Sequence, residues 1–150
     1  MNCVYVRNLR LGEGTPKVCI PLVGASDEAL FEEIKALSSY PADLVEWRTD
    51  YMNDIFNEGR LTGLLPRLRE HLGNTPLIFT FRTTKEGGQR QASTQQYKTL
   101  AMEAIASGCI DLIDIELFSD PDSITELTAL AKEKGVKTIF SSHDFYSTPS

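Results

Sequence analysis

From about residue 17 to the end of the chain, short apolar runs alternate with segments whose apolar residues recur every three or four positions. The run Val18-Cys19-Ile20-Pro21-Leu22-Val23 is almost continuously apolar, which predicts a strand buried on both faces. Ser26 then suits a helix N-cap, with Asp27 and Glu28 in the first turn and Leu30, Phe31, Ile34 and Leu37 along one face. Residues 43–48 predict a second strand. The next helix carries Leu61, Leu64, Leu65, Leu68 and Leu72 and stops at Gly73, with Pro66 marking a kink or a later start. Residues 77–81 predict the third strand. Thr94 caps a helix burying Tyr97, Leu100, Ala101, Ala104 and Ile105 and ending at Gly108, and residues 110–116 form the fourth strand. Asp120-Pro121 places a cap before a proline at the first helical position, and Ile124, Leu127, Leu130 and Ala131 form the buried stripe up to Gly135. Residues 136–143 predict the fifth strand. Ahead of all this, Val4-Tyr5-Val6 and the turn-like Gly12-Glu13-Gly14 predict a small flap or hairpin.

The strand starts are ~26 to 34 residues apart, the size of βαβ units with right-handed crossovers, so the sheet is expected to be parallel. Five parallel strands in 150 residues fit a flavodoxin-like, doubly wound sheet by size alone. The polar side chains point elsewhere. Four strands end in polar pairs two residues apart: Glu46 and Arg48, Thr80 and Arg82, Asp114 and Glu116, Ser141 and His143. Residues two apart on a strand share a face, so each strand sends two groups to the same side at its carboxyl end. In a (β/α)8 barrel that side faces inward, and active sites are built at that mouth. The expected fold class is therefore α/β, an incomplete (β/α)8 TIM barrel of five parallel strands with four helices and an N-terminal flap. On this reading residues 1–150 are a single domain, the N-terminal five-eighths of a barrel that takes roughly 250 residues to complete.

Composition narrows the function classes. A 41% hydrophobic and 24% charged chain is globular, and no apolar run approaches the ~20 residues that span a bilayer. Membrane insertion is not expected. The net charge of -6 without a Lys/Arg run argues against nucleic acid as the main partner. Cys3, Cys19 and Cys109 form no CxxC pair, and the first residues lack a basic start followed by an apolar stretch. A cytoplasmic location is the expectation.

Among the candidates for chemistry, His143 ends an apolar strand in Ser141-Ser142-His143-Asp144, where an imidazole can serve as a neutral-pH acid or base. Its alternative is a structural histidine bonded to a strand-end carboxylate. Glu46 and Arg48 flank Trp47 inside a buried strand, so they pair with each other or meet a ligand. Trp47 itself is expected to point the other way, under the helices. Arg82 at a strand end suits a bidentate grip on a carboxylate. It opens Arg82-Thr83-Thr84-Lys85-Glu86-Gly87-Gly88-Gln89-Arg90, whose glycine pair predicts a mobile loop able to close over a ligand. Within that loop Glu86 either orients an imidazole or pairs with Lys85 or Arg90 at the surface. Asp111, Asp114, Glu116, Asp120 and Asp122 read as strand-end pairing, a cap and solvated charge in preference to a metal site. No P-loop, Gly-x-Ser-x-Gly elbow, His-Glu-x-x-His or dinucleotide fingerprint is present, and neither metal nor cofactor is expected.

Taken together, Glu46-Trp47-Arg48, Phe79-Thr80-Phe81-Arg82 with Lys85-Glu86-Gly87-Gly88, Asp114-Ile115-Glu116-Leu117 and Ser142-His143-Asp144-Phe145 resemble type I 3-dehydroquinate dehydratase, in order, from about Lys17 onward. The resemblance implies a (β/α)8 barrel of the shikimate pathway that dehydrates 3-dehydroquinate to 3-dehydroshikimate without metal or organic cofactor. It implies a Schiff base between a sixth-strand lysine and the substrate ketone. It also assigns His143 as the proton shuttle, Glu86 as the carboxylate that orients it, and Glu46, Arg48 and Arg82 as substrate contacts. Pro21 lies where the family usually has a substrate-contacting serine. The sixth-strand lysine lies beyond the five strands found, so this chain alone is expected to be inactive. The alternative is a non-catalytic α/β binding or assembly module using the half-barrel mouth. Open edges at the first and fifth strands predict a homodimer or other self-association.

Overall fold

The structure, a computed structural model, describes residues 3–117 and 119–148. The chain opens with an antiparallel hairpin of β1 (Val4–Val6) and β2 (Leu9–Leu11), turning at Arg7 with a φ of 52°. There follow β3 (Cys19–Leu22), α1 (Asp27–Ala36), β4 (Leu44–Arg48), α2 (Arg60–Leu72) and β5 (Leu77–Thr80). The chain continues with α3 (Thr94–Ala106), β6 (Leu112–Glu116), α4 (Pro121–Lys134) and β7 (Lys137–Ser141).

The five later strands make one parallel sheet in the order β3-β4-β5-β6-β7. This order decides the architecture. A doubly wound sheet reverses direction at a switch point and puts helices on both faces. An unbroken sequential order of right-handed crossovers puts every helix on one face, as in a (β/α)8 barrel. The side chains agree. Val45, Trp47, Leu77, Phe79, Ile113 and Ile115 join the helix residues Leu30, Leu64, Leu68, Leu100, Ile105 and Leu127 in one large core. Leu44, Ile78 and Leu112, each an even number of residues from the strand-end polar groups, lie on the other face beneath Val6 of the hairpin.

The inner face is thus layered: apolar at the amino ends of the strands, charged at the carboxyl ends. The hairpin closes the apolar end, and an ion-pair latch fixes it there. Arg7 Nε donates to Asp111 Oδ1 at 2.6 Å, while Arg69 donates to Asp111 Oδ2 at 2.7 Å. Asp111 therefore serves the foot of the sheet, far from the strand ends that carry Asp114 and Glu116.

Three local expectations are corrected. The last strand stops at Ser141, so His143 stands two residues beyond it in the loop. Ser93, one residue before Thr94, caps α3, because Ser93 and Gln96 satisfy each other's backbone N–H in a capping box at 3.1 and 3.0 Å. Pro66 does not delay α2: the helix begins at Arg60 and continues through it. Among the described residues no helix is long and apolar enough to cross a membrane.

Candidate active site at the carboxyl ends of the strands

The inward residues of β5, β6 and β7 converge on Arg82, which is buried at 6% exposure. One of its terminal nitrogens donates to Ser141 Oγ at 2.7 Å and lies 3.5 Å from both Glu116 Oε1 and Glu86 Oε2. The other is 3.1 Å from Asp114 Oδ1, which also accepts the Ser141 hydroxyl at 2.7 Å. Three carboxylates surround one guanidinium. Burial drives the Glu116 carboxyl above its ordinary value, even though Thr83 donates to it through both backbone N–H and hydroxyl at 2.8 Å.

His143 joins this network through Glu86. Glu86 Oε2 lies 3.0 Å from His143 Nδ1 and accepts the His143 backbone N–H at 3.1 Å. Glu86 is itself buried at 9% exposure, and its partners are His143 and Arg82, not Lys85 or Arg90. An ionised carboxylate can only accept, which leaves the proton of a neutral His143 on Nδ1 and the Nε2 lone pair free to act.

The glycine pair shapes the loop through close backbone contacts. A short 3-10 turn spans Thr84–Glu86, and the ends of the loop meet in a Thr83 to Arg90 bridge. Gly88 N–H donates to Thr83 O at 2.8 Å, and a Cβ at Gly88 would lie 1.8 Å from Arg82 O. Backbone packs directly on backbone there. The glycines make a tight, closed loop that presents Glu86, and Gly87 takes up the left-handed conformation (φ 82°) needed to leave the turn.

The Arg48 side chain does not pair with Glu46. Its Nε and one terminal nitrogen each lie 2.8 Å from a separate oxygen of Asp50, a bidentate pair that also rests over the Tyr51 ring. Asp50 is fully buried and escaped the sequence analysis, although the two-residue spacing of Glu46 and Arg48 continues to it. The chain leaves β4 in a 3-10 turn, Thr49–Tyr51, that folds Asp50 back toward Arg48. Glu46 stays half-buried and has no hydrogen bond among the described residues. Its charge reaches the exposed Cys19 on the neighbouring strand, where partial desolvation first and Glu46 second push the thiol up to about 11.

A groove of about 740 Å³ opens beside the network, reaching Glu86, Glu116 and His143 between the amino ends of α3 and α4 and the segment ending at Tyr146. Lys85 lines it from the loop. Of the expected site residues, Arg82, Glu86 and His143 are joined directly, while Glu46 and Arg48 occupy the next strand with Asp50 between them and the loop.

These features define a (β/α)-barrel type of fold with an imidazole and a carboxylate in direct contact at the carboxyl ends of the strands. The chain belongs to the type I 3-dehydroquinase family, whose model matches residues 18–150. It is 45% identical over 149 residues to the 3-dehydroquinate dehydratase of Clostridium novyi, covering 99% of this chain and 59% of that protein. Among solved structures, the type I 3-dehydroquinate dehydratase of Clostridium difficile, determined with covalently modified comenic acid, superposes with a TM-score of 0.94 at 39% identity. That match covers 98% of this chain and 58% of the other. The Geobacillus kaustophilus enzyme superposes with a TM-score of 0.93 at 32% identity, over 99% of this chain and 58% of that one. The chain therefore spans just under three-fifths of the length of these relatives.

Proposed function

We propose that this chain supplies the acid–base and substrate-orienting part of a 3-dehydroquinate dehydratase, the shikimate-pathway lyase that converts 3-dehydroquinate to 3-dehydroshikimate. The observation that carries this reading is the 3.0 Å contact between Glu86 Oε2 and His143 Nδ1 at the mouth of a parallel sheet. His143, held in one tautomer, moves protons. It deprotonates the carbon beside the substrate carbonyl and returns a proton to the departing hydroxyl, so that water leaves. Glu46, Arg48 and Arg82 hold the hydroxylated ring. The electron sink is an iminium formed between the ketone and a lysine amine, which acidifies the adjacent C–H bond.

That lysine is the part the carboxyl ends of these five strands do not offer, since Lys137 stands at the amino end of β7. Lys85 lines the groove together with His143, and it sits exposed on the loop instead of projecting from a strand. The five strands and four helices accordingly stand as the first five units of an eight-unit barrel, and the 150 residues bind substrate without turning it over. The free thiols of Cys3, Cys19 and Cys109 fit a cytoplasmic setting. The test incubates the 150-residue chain with 3-dehydroquinate and borohydride. The expected result is shifted His143 ring resonances with no turnover and no mass adduct. Full turnover, or a trapped adduct on this chain, overturns the proposal.

The edges of β3 and β7 each pair on one side only, and Phe140 on β7 is 49% exposed. Such edges recruit a further strand, so association with a second copy follows. Sedimentation is expected to show concentration-dependent self-association, and a monomer across the accessible range counts against it.

A further inference from the structure

Asp50 has 0% exposure and accepts at both oxygens from three separate segments. Arg48 donates twice at 2.8 Å, the Gln89 N–H donates at 3.0 Å and the Arg82 N–H at 3.3 Å. A carboxylate is costly to bury, and this one is buried with its oxygens fully engaged. Its donors are informative. Arg82 and Gln89 are the two ends of the closed loop that presents Glu86 to His143, and Arg48 is an inward-facing cation of the neighbouring strand.

The geometry of Arg48 follows from this. Of the five guanidinium N–H groups, Asp50 takes the one on Nε and one on a terminal nitrogen. The remaining fork faces away from Asp50, its plane fixed by two bonds and by the Tyr51 ring 5.2 Å from the guanidinium carbon. Arg48 cannot swing out to follow a ligand without stranding a buried charge behind it. A fixed fork of this kind selects a ligand that brings two neighbouring oxygen acceptors to it, a carboxylate or an adjacent pair of hydroxyls, instead of adapting to any anion.

We propose that Asp50 is a positioning residue that holds the free N–H fork of Arg48 and the Glu86-bearing loop in one arrangement, so that ligand orientation and the imidazole partner are set by a single buried carboxylate. The part concerning the ligand rests on the reading of the mouth as a 3-dehydroquinate site.

The experiment follows the Arg48 Nε–H signal and the Gln89 amide by ¹⁵N NMR, and 3-dehydroquinate binding by titration, in the wild-type chain, Asp50→Asn, Arg48→Lys and the double variant. In the wild type the Arg48 Nε–H is expected to exchange with water at least tenfold more slowly than that of the exposed Arg10. Asp50→Asn is expected to abolish that protection, to deprotect Gln89, and to weaken binding about tenfold, the typical effect of losing a charged partner. In the Arg48→Lys background the same change is expected to cost clearly less than tenfold in binding, because part of the effect runs through Arg48, while the deprotection of Gln89 persists. Equal exchange at Arg48 and Arg10 in the wild type overturns the proposal whether or not Asp50→Asn folds, and so does an additive loss in the double variant. A wild-type chain with a protected Arg48 but no response to 3-dehydroquinate overturns the substrate reading and leaves the role of Asp50 intact.

Discussion

One oxygen of Glu86, Oε2, faces His143 twice, at the ring Nδ1 (3.0 Å) and at the backbone N–H (3.1 Å). Side chain and main chain of the histidine are thus fixed from one point. Glu86→Ala is expected to convert a single Nδ1–H tautomer into a mixture while leaving the strands intact. Long-range ¹H–¹⁵N spectra of the ring check this: unchanged ring nitrogens in the variant would mean that the carboxylate does not select the tautomer.

Two buried carboxylates flank the loop and respond to pH in opposite senses. Burial opposes ionisation of Asp50, but the Arg48 bonds and the N–H groups of Gln89 and Arg82 outweigh it and keep its carboxyl below the ordinary range. Its contribution to stability is complete above the unfolded value of about 3.9 and is lost as pH falls through the lower folded value. Glu116, pushed up chiefly by burial, contributes below its unfolded value of about 4.3 and loses that contribution as pH rises through the folded one. Urea denaturation at pH 7 is expected to show Asp50→Asn less stable by about 3 kcal/mol, as for a broken buried pair. Glu116→Gln is expected to be neutral or more stable by about 1 kcal/mol. The Asp50 effect shrinks as pH falls through its lowered folded value, where its carboxyl protonates in the folded chain as well.

Two glycines provide a matched pair. Gly88→Ala forces a Cβ onto the Arg82 carbonyl and is expected to cost more than about 2 kcal/mol by opening the loop. Gly63 lies in the interior of α2, where an added methyl group would meet nothing within 4 Å, so Gly63→Ala is expected to gain about 0.5–1 kcal/mol. Melting curves of the two variants should move in opposite directions.

The hairpin is held by the Asp111 latch, which ties Arg7, Arg69 and the Leu77 N–H together. Asp111→Ala is expected to cost about 3 kcal/mol, since it leaves two partly buried guanidiniums without their carboxylate. Hydrogen exchange should show Val6 and Leu9 losing protection before the parallel sheet does.

The periodic elements were legible because burial is written in spacing. Strands 44–48, 77–80 and 112–116, the stripe of α2 and the Asp120-Pro121 start of α4 all lie where the apolar and capping patterns place them. The inward pairs were legible for the same reason, two-residue periodicity being a property of any strand. Partner choice was not. Arg48 pairs with Asp50 instead of Glu46 because a 3-10 turn, invisible to periodicity, reverses the chain beyond the strand. Gly-Gly is compatible with both freedom and close approach, and the distance from Gly88 to Arg82 O shows that close approach is required there, which spacing alone does not reveal.

The floor beneath the mouth bears on its chemistry. Val6, Leu44, Ile78 and Leu112 make a dry plug, so charges above it are screened from one side only, and their field lines leave through the open end. Around that end the carboxylates of Glu46, Asp50, Glu86, Asp114 and Glu116 outnumber the guanidiniums of Arg48 and Arg82. A positive charge on the His143 imidazole would meet carboxylates that are already held in place.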